Sequence, residues 1–385
     1  MNPAQEPDTS GVLYDFAIIG AGMAGASVAH QLAPHAKVIM LERESQPGYH
    51  ATGRSAAMFM ETLGTACVRA LTRASRAFYE MPPVGFTDRQ LLSKRGVLYI
   101  ASHAHEDELA RRFDLRSKGT TNLRWVTAAD ATHRVPVLEE NLLCGAIFEE
   151  GAADIEVHAL HQACLKAARA SGAALLVNAE LVKAGYAADR WNVMLSSGRS
   201  IMARNLVNAA GAWVDHVARI CGVQPVGIEC RRRTAFTFAS PEGMNSHDWP
   251  LVSGVGAGFY FKPDAGQILG SPANADVVEP HDVVAEELDV ALGIHRIEVL
   301  TKFRIRRPTS TWAGLRSFVR DEDMVIGWDD ANKGFFWLAA QGGYGIQTAP
   351  AVSQLAAALL LDQPVPGHLS SHGVMPDDVS PRRLR

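Results

Sequence analysis

The chain lacks a long apolar run, an excess of basic charge and any paired-cysteine motif, and each absence closes off a class of function. Its best membrane-span candidate, Leu355–Leu361, is far short of the ~18 uninterrupted apolar residues a spanning helix needs, so no transmembrane segment is expected and only peripheral membrane contact stays open. Basic side chains number 37 against 41 acidic ones, a formal charge of −4, which offers no general attraction for nucleic acid. The five cysteines, Cys67, Cys144, Cys164, Cys221 and Cys230, are an odd, scattered set with no C-x-x-C pair. They read as reduced structural thiols in a cytoplasmic setting. The leader Met1–Ser10 carries Glu6 and Asp8 and has neither a basic start nor an apolar core, so it reads as a mobile tail instead of a targeting signal. His103-Ala104-His105-Glu106 lacks H-E-x-x-H spacing and reads as the start of a charged surface helix; no metal site is expected. No G-x-S-x-G or P-loop occurs, and Arg304-Ile305-Arg306-Arg307 reads as a strand of alternating charge instead of a nucleic-acid groove. What remains is a globular chain of 385 residues, long enough for two domains, whose partners are small molecules.

One site stands out near the start. Tyr14–Ile19 is an apolar, strand-like run that meets Gly20-Ala21-Gly22-Met23-Ala24-Gly25, a full G-x-G-x-x-G, followed by a helical pattern over Ala24–Leu32 and a second apolar strand, Val38–Leu41, ending in Glu42. Each part has a task in binding a dinucleotide. Gly20 permits the tight turn, Gly22 lets backbone approach a pyrophosphate, and Gly25 lets helix pack against strand. The helix N-terminus then presents free N–H groups and a positive dipole end. Glu42 lies 22 positions after Gly20, close to the ~20 expected of the acid that binds a ribose hydroxyl. It would repel a 2′-phosphate, which argues against NADP. On this motif alone FAD and NAD stand level.

Two later segments separate them. After Pro47-Gly48 the small residues Ala51-Thr52-Gly53-Arg54-Ser55-Ala56-Ala57 suit either a second helix N-terminus at the pyrophosphate, with Thr52 and Ser55 as donors, or an ordinary loop. The strand-turn pattern recurs at Asn205–Trp213, and again where Phe335–Ala340 runs into Gln341-Gly342-Gly343-Tyr344-Gly345-Ile346-Gln347-Thr348 and a final long helix.

The motifs GAGMAGAS, LERESQPGYHATGRSAA, VNAAGAW, FKPDAG, LGSPANAD, TWAGLRSF, FFWLAAQGGYGIQT and SPRRL run from about Tyr14 to Leu384. Through them the chain resembles the D-amino acid oxidase (DAO) family of FAD-dependent oxidoreductases, and within it the bacterial D-arginine dehydrogenase branch. The resemblance implies an extended FAD. Its adenosine would lie at Glu42 and Arg43. Its pyrophosphate would lie at Gly20, Ala21, Gly22, Met23, Ala24 and Gly25 and at Ala51, Thr52, Arg54, Ser55, Ala56 and Ala57. Leu181, Ala210, Gly211, Trp213 and Gly314 would line its path. The isoalloxazine would lie near Gly342, Gly343, Tyr344, Gly345, Ile346, Gln347 and Thr348, with the last helix aimed at the ring's N1–C2=O edge to steady the charge of the reduced form. Neither Arg54–Ala57 nor Gly314–Arg316 carries the Cys or His that covalent relatives use, so the FAD is expected to be non-covalent.

The same resemblance maps a substrate-carboxylate clamp to Arg233, Tyr260 and Arg316, and a backbone carbonyl near the substrate amine to Gly343. The residues alone leave alternatives open. Arg233 ends a basic run that could be a solvated face, Tyr260 between two phenylalanines could be core, and Arg316 in the apolar stretch Trp312–Phe318 could belong to an ion pair. The side-chain pocket departs from the arginine enzymes. Where those carry a glutamate and polar loop residues, this chain has Val97, Met58, Met60 and Leu63, an apolar set that disfavours a guanidinium and suits a hydrophobic D-amino acid. Glu61 weakens that expectation if it turns inward. The leading function is FAD-dependent oxidative deamination of a D-amino acid to the 2-oxo acid and ammonia, the electrons passing to oxygen or a quinone-type acceptor. A secondary-amine (sarcosine- or glycine-like) or 2-hydroxy acid oxidoreductase is the alternative enzyme, and a non-catalytic flavin-binding module the third class. The expected fold is α/β (α+β): a Rossmann-type FAD-binding domain (12–80, 151–223 and 306–367) interleaved with a substrate domain on a mixed or antiparallel sheet (81–150 and 224–305), with tails at 1–11 and 368–385.

Overall fold

The computed structural model describes Thr9 and residues 11–118, 120 and 122–385. Most of the leader therefore lies outside the described residues. Two large sheets divide the chain between them. The first has at its centre five parallel strands in the order Ala174–Leu176, Val38–Leu41, Leu13–Ile19, Ser200–Asn208 and Phe335–Ala339. Both faces are covered, which is why its strands are near-continuous apolar runs. Phe16, Ile18, Val38 and Met40 pack toward the helices Met23–Leu32, Val157–Ala170 and Ala349–Leu360, while Ala17, Ile19, Ile39 and Leu41 enter a second core closed by the antiparallel hairpin Leu181–Ala187 and Arg190–Leu195. This is the Rossmann-type arrangement.

The second sheet has nine strands and is antiparallel except where Val97–Ser102 runs parallel to Leu251–Gly254. Its long strand Glu229–Ala239 pairs with Gln267–Ser271 on one side and Ser310–Phe318 on the other. One face, carrying Leu98, Ile100, Phe236, Val252 and Phe261, forms a core roofed by Glu287–Val299 and Ala128–Arg134. Alternation sends Tyr99 and Tyr260 to the opposite face, the wall of a cavity between the two sheets. The fold is the mixed α/β class expected.

Four local expectations are corrected. Ser310–Phe318 belongs to the second sheet, so the third dinucleotide-domain segment begins after it instead of at 306. Residues 368–385 are no tail: Leu369, Val374 and Val379 are buried, and Arg383 and Arg385 pair with Asp321 and Asp329. Arg304–Arg307 is irregular, with the Ile305 N–H held by Glu298. Ala51–Arg54 forms turns and Ser55–Ala57 extends from them with Ala57 at φ 56°, so this segment provides no second helix N-terminus.

Candidate active site

The glycine turn is built by close approach. Gly20, at φ 95°, donates its N–H to Leu41, and a Cβ placed there would stand 2.7 Å from the carbonyl oxygen of Ala209. A Cβ on Gly25 would collide with the carbonyl oxygen of Gly20, so the helix Met23–Leu32 touches the turn directly. Gly22 caps that helix without a side-chain acceptor of its own, and Thr52 Oγ1 accepts from the Met23 N–H at 3.0 Å. The hydroxyl is thus carried by a turn to the N-terminus of the first helix, which it caps. Glu42 is buried, its two oxygens accepting from the N–H of Ala21 (2.9 Å) and Glu44 (3.0 Å), which fixes the carboxylate at the end of its strand. Arg43 lies over the Trp213 ring at 4.4 Å and binds Glu44, forming a shelf beside Glu42.

From this end a continuous cavity of about 560 Å³ runs to the second sheet. All the residues expected to hold the dinucleotide line it except Ala21, Gly25, Tyr344 and Thr348. Those four brace it instead. Tyr344 packs edge-on against Phe318, and Thr348 donates to the Tyr344 carbonyl. Arg54 points away from a phosphate role: its guanidinium donates to the carbonyls of Val283 and Ala313 and to Asp282, tying the turn to the second sheet. His161, unforeseen, is buried under the turn, bonded to the Ala21 carbonyl at 2.8 Å, and burial holds its imidazole below the ordinary range. Only its neighbours in space, which are far in sequence, reveal that role.

The other end holds the arginines. In the run Arg231–Arg233 strand alternation turns Arg232 to the face opposite Arg231 and Arg233. Arg232 faces helix Glu287–Val299 and pairs with Glu286 and Asp289, while Arg231 pairs with Glu229 and Glu322. Arg233 lines the cavity and bonds only a backbone carbonyl, that of Asn274. Arg316, on the neighbouring strand, also lines it. No ion pair or hydrogen bond engages the Arg316 guanidinium among the described residues; it lies along the Phe318 ring and against Gly343, where a Cβ would fall 2.6 Å from its Nε. Burial, and then the charge of Arg233, pull Arg316 down to about 10. Such a site lacks an anion. The glycine turn after Ala340 is joined to the same strand by the Gly342 N–H, which donates to the Ser317 carbonyl at 2.8 Å, and Tyr260 completes this end.

Of the four pocket residues expected, Met58, Met60 and Leu63 line the cavity, whereas Val97 is fully buried one layer behind, packed with Met60 and Leu251. Gln347 pins the backbone of Met60 from both sides of its amide. Glu61 is committed elsewhere, to Arg76 at 2.5 Å and Asn122 at 3.0 Å. Sequence reading missed Tyr99, Arg112 and Arg116, which line the same wall. The four-residue spacing of the two arginines on helix Glu106–Arg116 was the available signal, hidden among that helix's other charges. Among the described residues no helix is long and apolar enough to cross a membrane. The five cysteines are free, and burial pushes Cys67, Cys164 and Cys221 up to about 12, which disfavours the thiolate form.

With this geometry in view, the chain compares with known proteins as follows. The family profile described as FAD dependent oxidoreductase, DAO, matches residues 15–359. An L-2-hydroxyglutarate dehydrogenase of Salmonella houtenae is 27% identical over 243 residues, 60% of this chain and 55% of that protein; this chain thus spans about half the length of those curated relatives. A glycine oxidase of Geobacillus kaustophilus is 23% identical over 366 residues, 90% of this chain and 93% of the relative. Its crystal structure superposes with a TM-score of 0.80 over 91% of this chain and 95% of the other. An L-proline dehydrogenase from P. horikoshii gives 0.81 at 19% identity over 97% and 98%.

Proposed function

Because the chain belongs to the FAD dependent oxidoreductase (DAO) family, we propose that it oxidises the α-carbon of an amino acid, of D configuration on the strength of the resemblance, to an imino acid that water converts to a 2-oxo acid and ammonia. The observation that carries this reading is the pair Arg233 and Arg316, two guanidinium groups in one cavity with no carboxylate in ion-pair range of either among the described residues. A substrate carboxylate meets their forks and relieves the mutual repulsion. Tyr260 adds a hydroxyl, and the backbone carbonyl of Gly343, beside Arg316, is the acceptor for a substrate amine. Glu42 and the 342–347 turns would hold FAD non-covalently, and the cofactor would supply the two-electron acceptor for the hydride.

The wall also informs the rest of the substrate. Among the described residues the carboxylates lining the cavity are Glu42 and Glu180, both at the nucleotide end, so no lining carboxylate beside Arg233 and Arg316 is placed to take a proton from the substrate. An amine can shed its proton to water beforehand; a hydroxyl needs a base in the transition state. This favours an amino acid over a 2-hydroxy acid. Met58, Met60, Leu63 and Leu251 surround hydrocarbon next to Cα. D-arginine fits poorly: Glu61 is held by Arg76, and the arginines on the wall repel a guanidinium. The names of relatives favour a second reading, oxidation of a 2-hydroxy acid or a secondary amine, since L-2-hydroxyglutarate dehydrogenase and glycine oxidase share the family and an iminodiacetate oxidase shares the fold. The final electron acceptor is oxygen or a quinone-type molecule.

The pH profile tests this chemistry. For an amino acid, kcat/KM should climb with pH as the neutral amine grows. It should then fall as pH rises through about 10, because the depressed Arg316 is charged below that value and loses its proton above it. A bound carboxylate favours the protonated guanidinium, so the fall in kcat should come at higher pH than the fall in kcat/KM. A profile flat up to pH 10 with an amino acid would remove the requirement for a neutral amine.

A further inference from the structure

We infer that Arg112 and Arg116 form a second anion site at the far side of the same cavity, and that the preferred substrate carries a second carboxylate at the end of a short methylene chain. This rests on the reading that the first carboxylate sits at Arg233 and Arg316. The two arginines occupy successive turns of helix Glu106–Arg116 and both lie against the Tyr99 ring, at 5.9 and 4.7 Å from its centre. Like charges four residues apart repel on a helix. Burial, then the charge of Arg116, hold Arg112 below its ordinary range; Arg69 is lowered by burial, then by Arg73 and Arg116.

The acids within reach answer this charge only in part, through a long ion pair at Arg112 and the field of Glu149 at Arg116. Glu108 stands 3.7 Å from Arg112. Glu149, beneath Tyr99, is fully engaged: it accepts from the Thr62 N–H at 3.3 Å, the Thr62 hydroxyl at 2.6 Å and the Tyr99 hydroxyl at 3.0 Å, and burial pushes its carboxyl upward. Arg116 Nη1 is buried with no hydrogen-bond partner. A buried unpaired guanidinium N–H is rare because it forfeits its hydration without replacement, and here it lies on a residue lining the substrate cavity.

Spacing supports one molecule bridging both ends. Tyr99, Ser253 and Tyr260 are register partners on three adjoining strands, so Tyr99 and Tyr260 stand two strand spacings apart, about 10 Å. With guanidinium groups at both ends of one cavity, a short-chain dicarboxylate is the kind of molecule that engages both. Met58, Met60 and Leu63 flank its middle, where methylene groups belong. The hydrocarbon pocket expected from the sequence is therefore the waist of the site, with a charged far end.

The test is a binding comparison that needs no turnover. Holoenzyme is titrated with glutarate and with pentanoate, equal in length and differing by one carboxylate, while the visible spectrum of the bound flavin is followed. Glutarate should bind at least tenfold more tightly. Arg116→Met and Arg112→Met, each checked for full FAD content, should bring the ratio of the two dissociation constants toward one, and Arg116→Lys should keep part of it. Equal binding of the two acids, or a preference that survives both methionine variants, overturns the second site. If glutarate is preferred while no 2-amino or 2-hydroxy acid bleaches the flavin, the second site stands and the oxidation reading fails. If monoacids bleach it and bind as well as diacids, the reverse holds.

Discussion

Replacing Arg316 by Met should raise KM by about 30-fold to 1000-fold and depress kcat as well, without destabilising the protein. The first expectation follows from what the guanidinium contacts. It has no internal anion, so its contribution is reserved for the substrate, and loss of a charge-assisted, fork-shaped contact in a desolvated site is worth about 2–4 kcal/mol. The effect on kcat follows from orientation: the same contact aims Cα toward the flavin, and a carboxylate held only by Arg233 can rotate. The second expectation separates a binding role from a structural one. A guanidinium whose pKa is pulled down to about 10 by burial and by Arg233 is a charge the folded state disfavours, so a methionine of similar length should leave the melting temperature equal or higher. Arg316→Lys restores charge without the fork and should recover only part of the loss. Steady-state kinetics within about threefold of wild type in the methionine variant would remove Arg316 from the site.

Gly25→Ala should abolish FAD binding outright. The Cβ it adds would collide with the Gly20 carbonyl, which is backbone and belongs to the turn proposed to carry the pyrophosphate. Neither partner can yield by rotating a side chain, so helix Met23–Leu32 must shift off the turn and take its N-terminal N–H groups with it. Gly22→Ala is the matched control. Its Cβ would meet only Thr52 Oγ1 at 3.2 Å, so the protein should fold, with weaker retention of FAD because Gly22 lines the cavity. The ratio of flavin to protein absorbance after gel filtration reports both. We expect less than about a tenth of wild-type flavin for Gly25→Ala; a normal ratio would show that the packing of helix on turn is dispensable.

Much of the nucleotide end is legible in the sequence because its parts are contiguous: strand, glycine turn, helix and acid follow one another over thirty residues, and each step is enforced by local sterics. The proposed clamp rests on resemblance, and alternation along Glu229–Ala239 explains why Arg233 faces the cavity while Arg232 does not. The errors share one cause, long-range pairing. Ser310–Phe318 lies next to the dinucleotide-domain segment in sequence, yet its hydrogen bonds go to Glu229–Ala239 in the other sheet. Arg54 looks like a phosphate ligand until Val283 and Ala313 are brought beside it. Val97 occupies the expected strand, but Met60 and Leu251 stand in front of it. The spacing of Arg112 and Arg116 is visible in the sequence, but nothing local announces that Tyr99 will be laid beside them.

The central claim is that the chain removes hydride from a carbon held by its neighbouring carboxylate. Anaerobic mixing of holoenzyme with 2-amino acids of both configurations, N-methyl amino acids and 2-hydroxy acids, each beside its decarboxylated counterpart, tests it most directly through loss of the flavin's visible absorbance. We predict rapid bleaching by at least one carboxylate-bearing member, D-amino acids foremost, and none by the matching amine or alcohol. Bleaching that is as fast without the carboxylate, or absent with every acid, would contradict it.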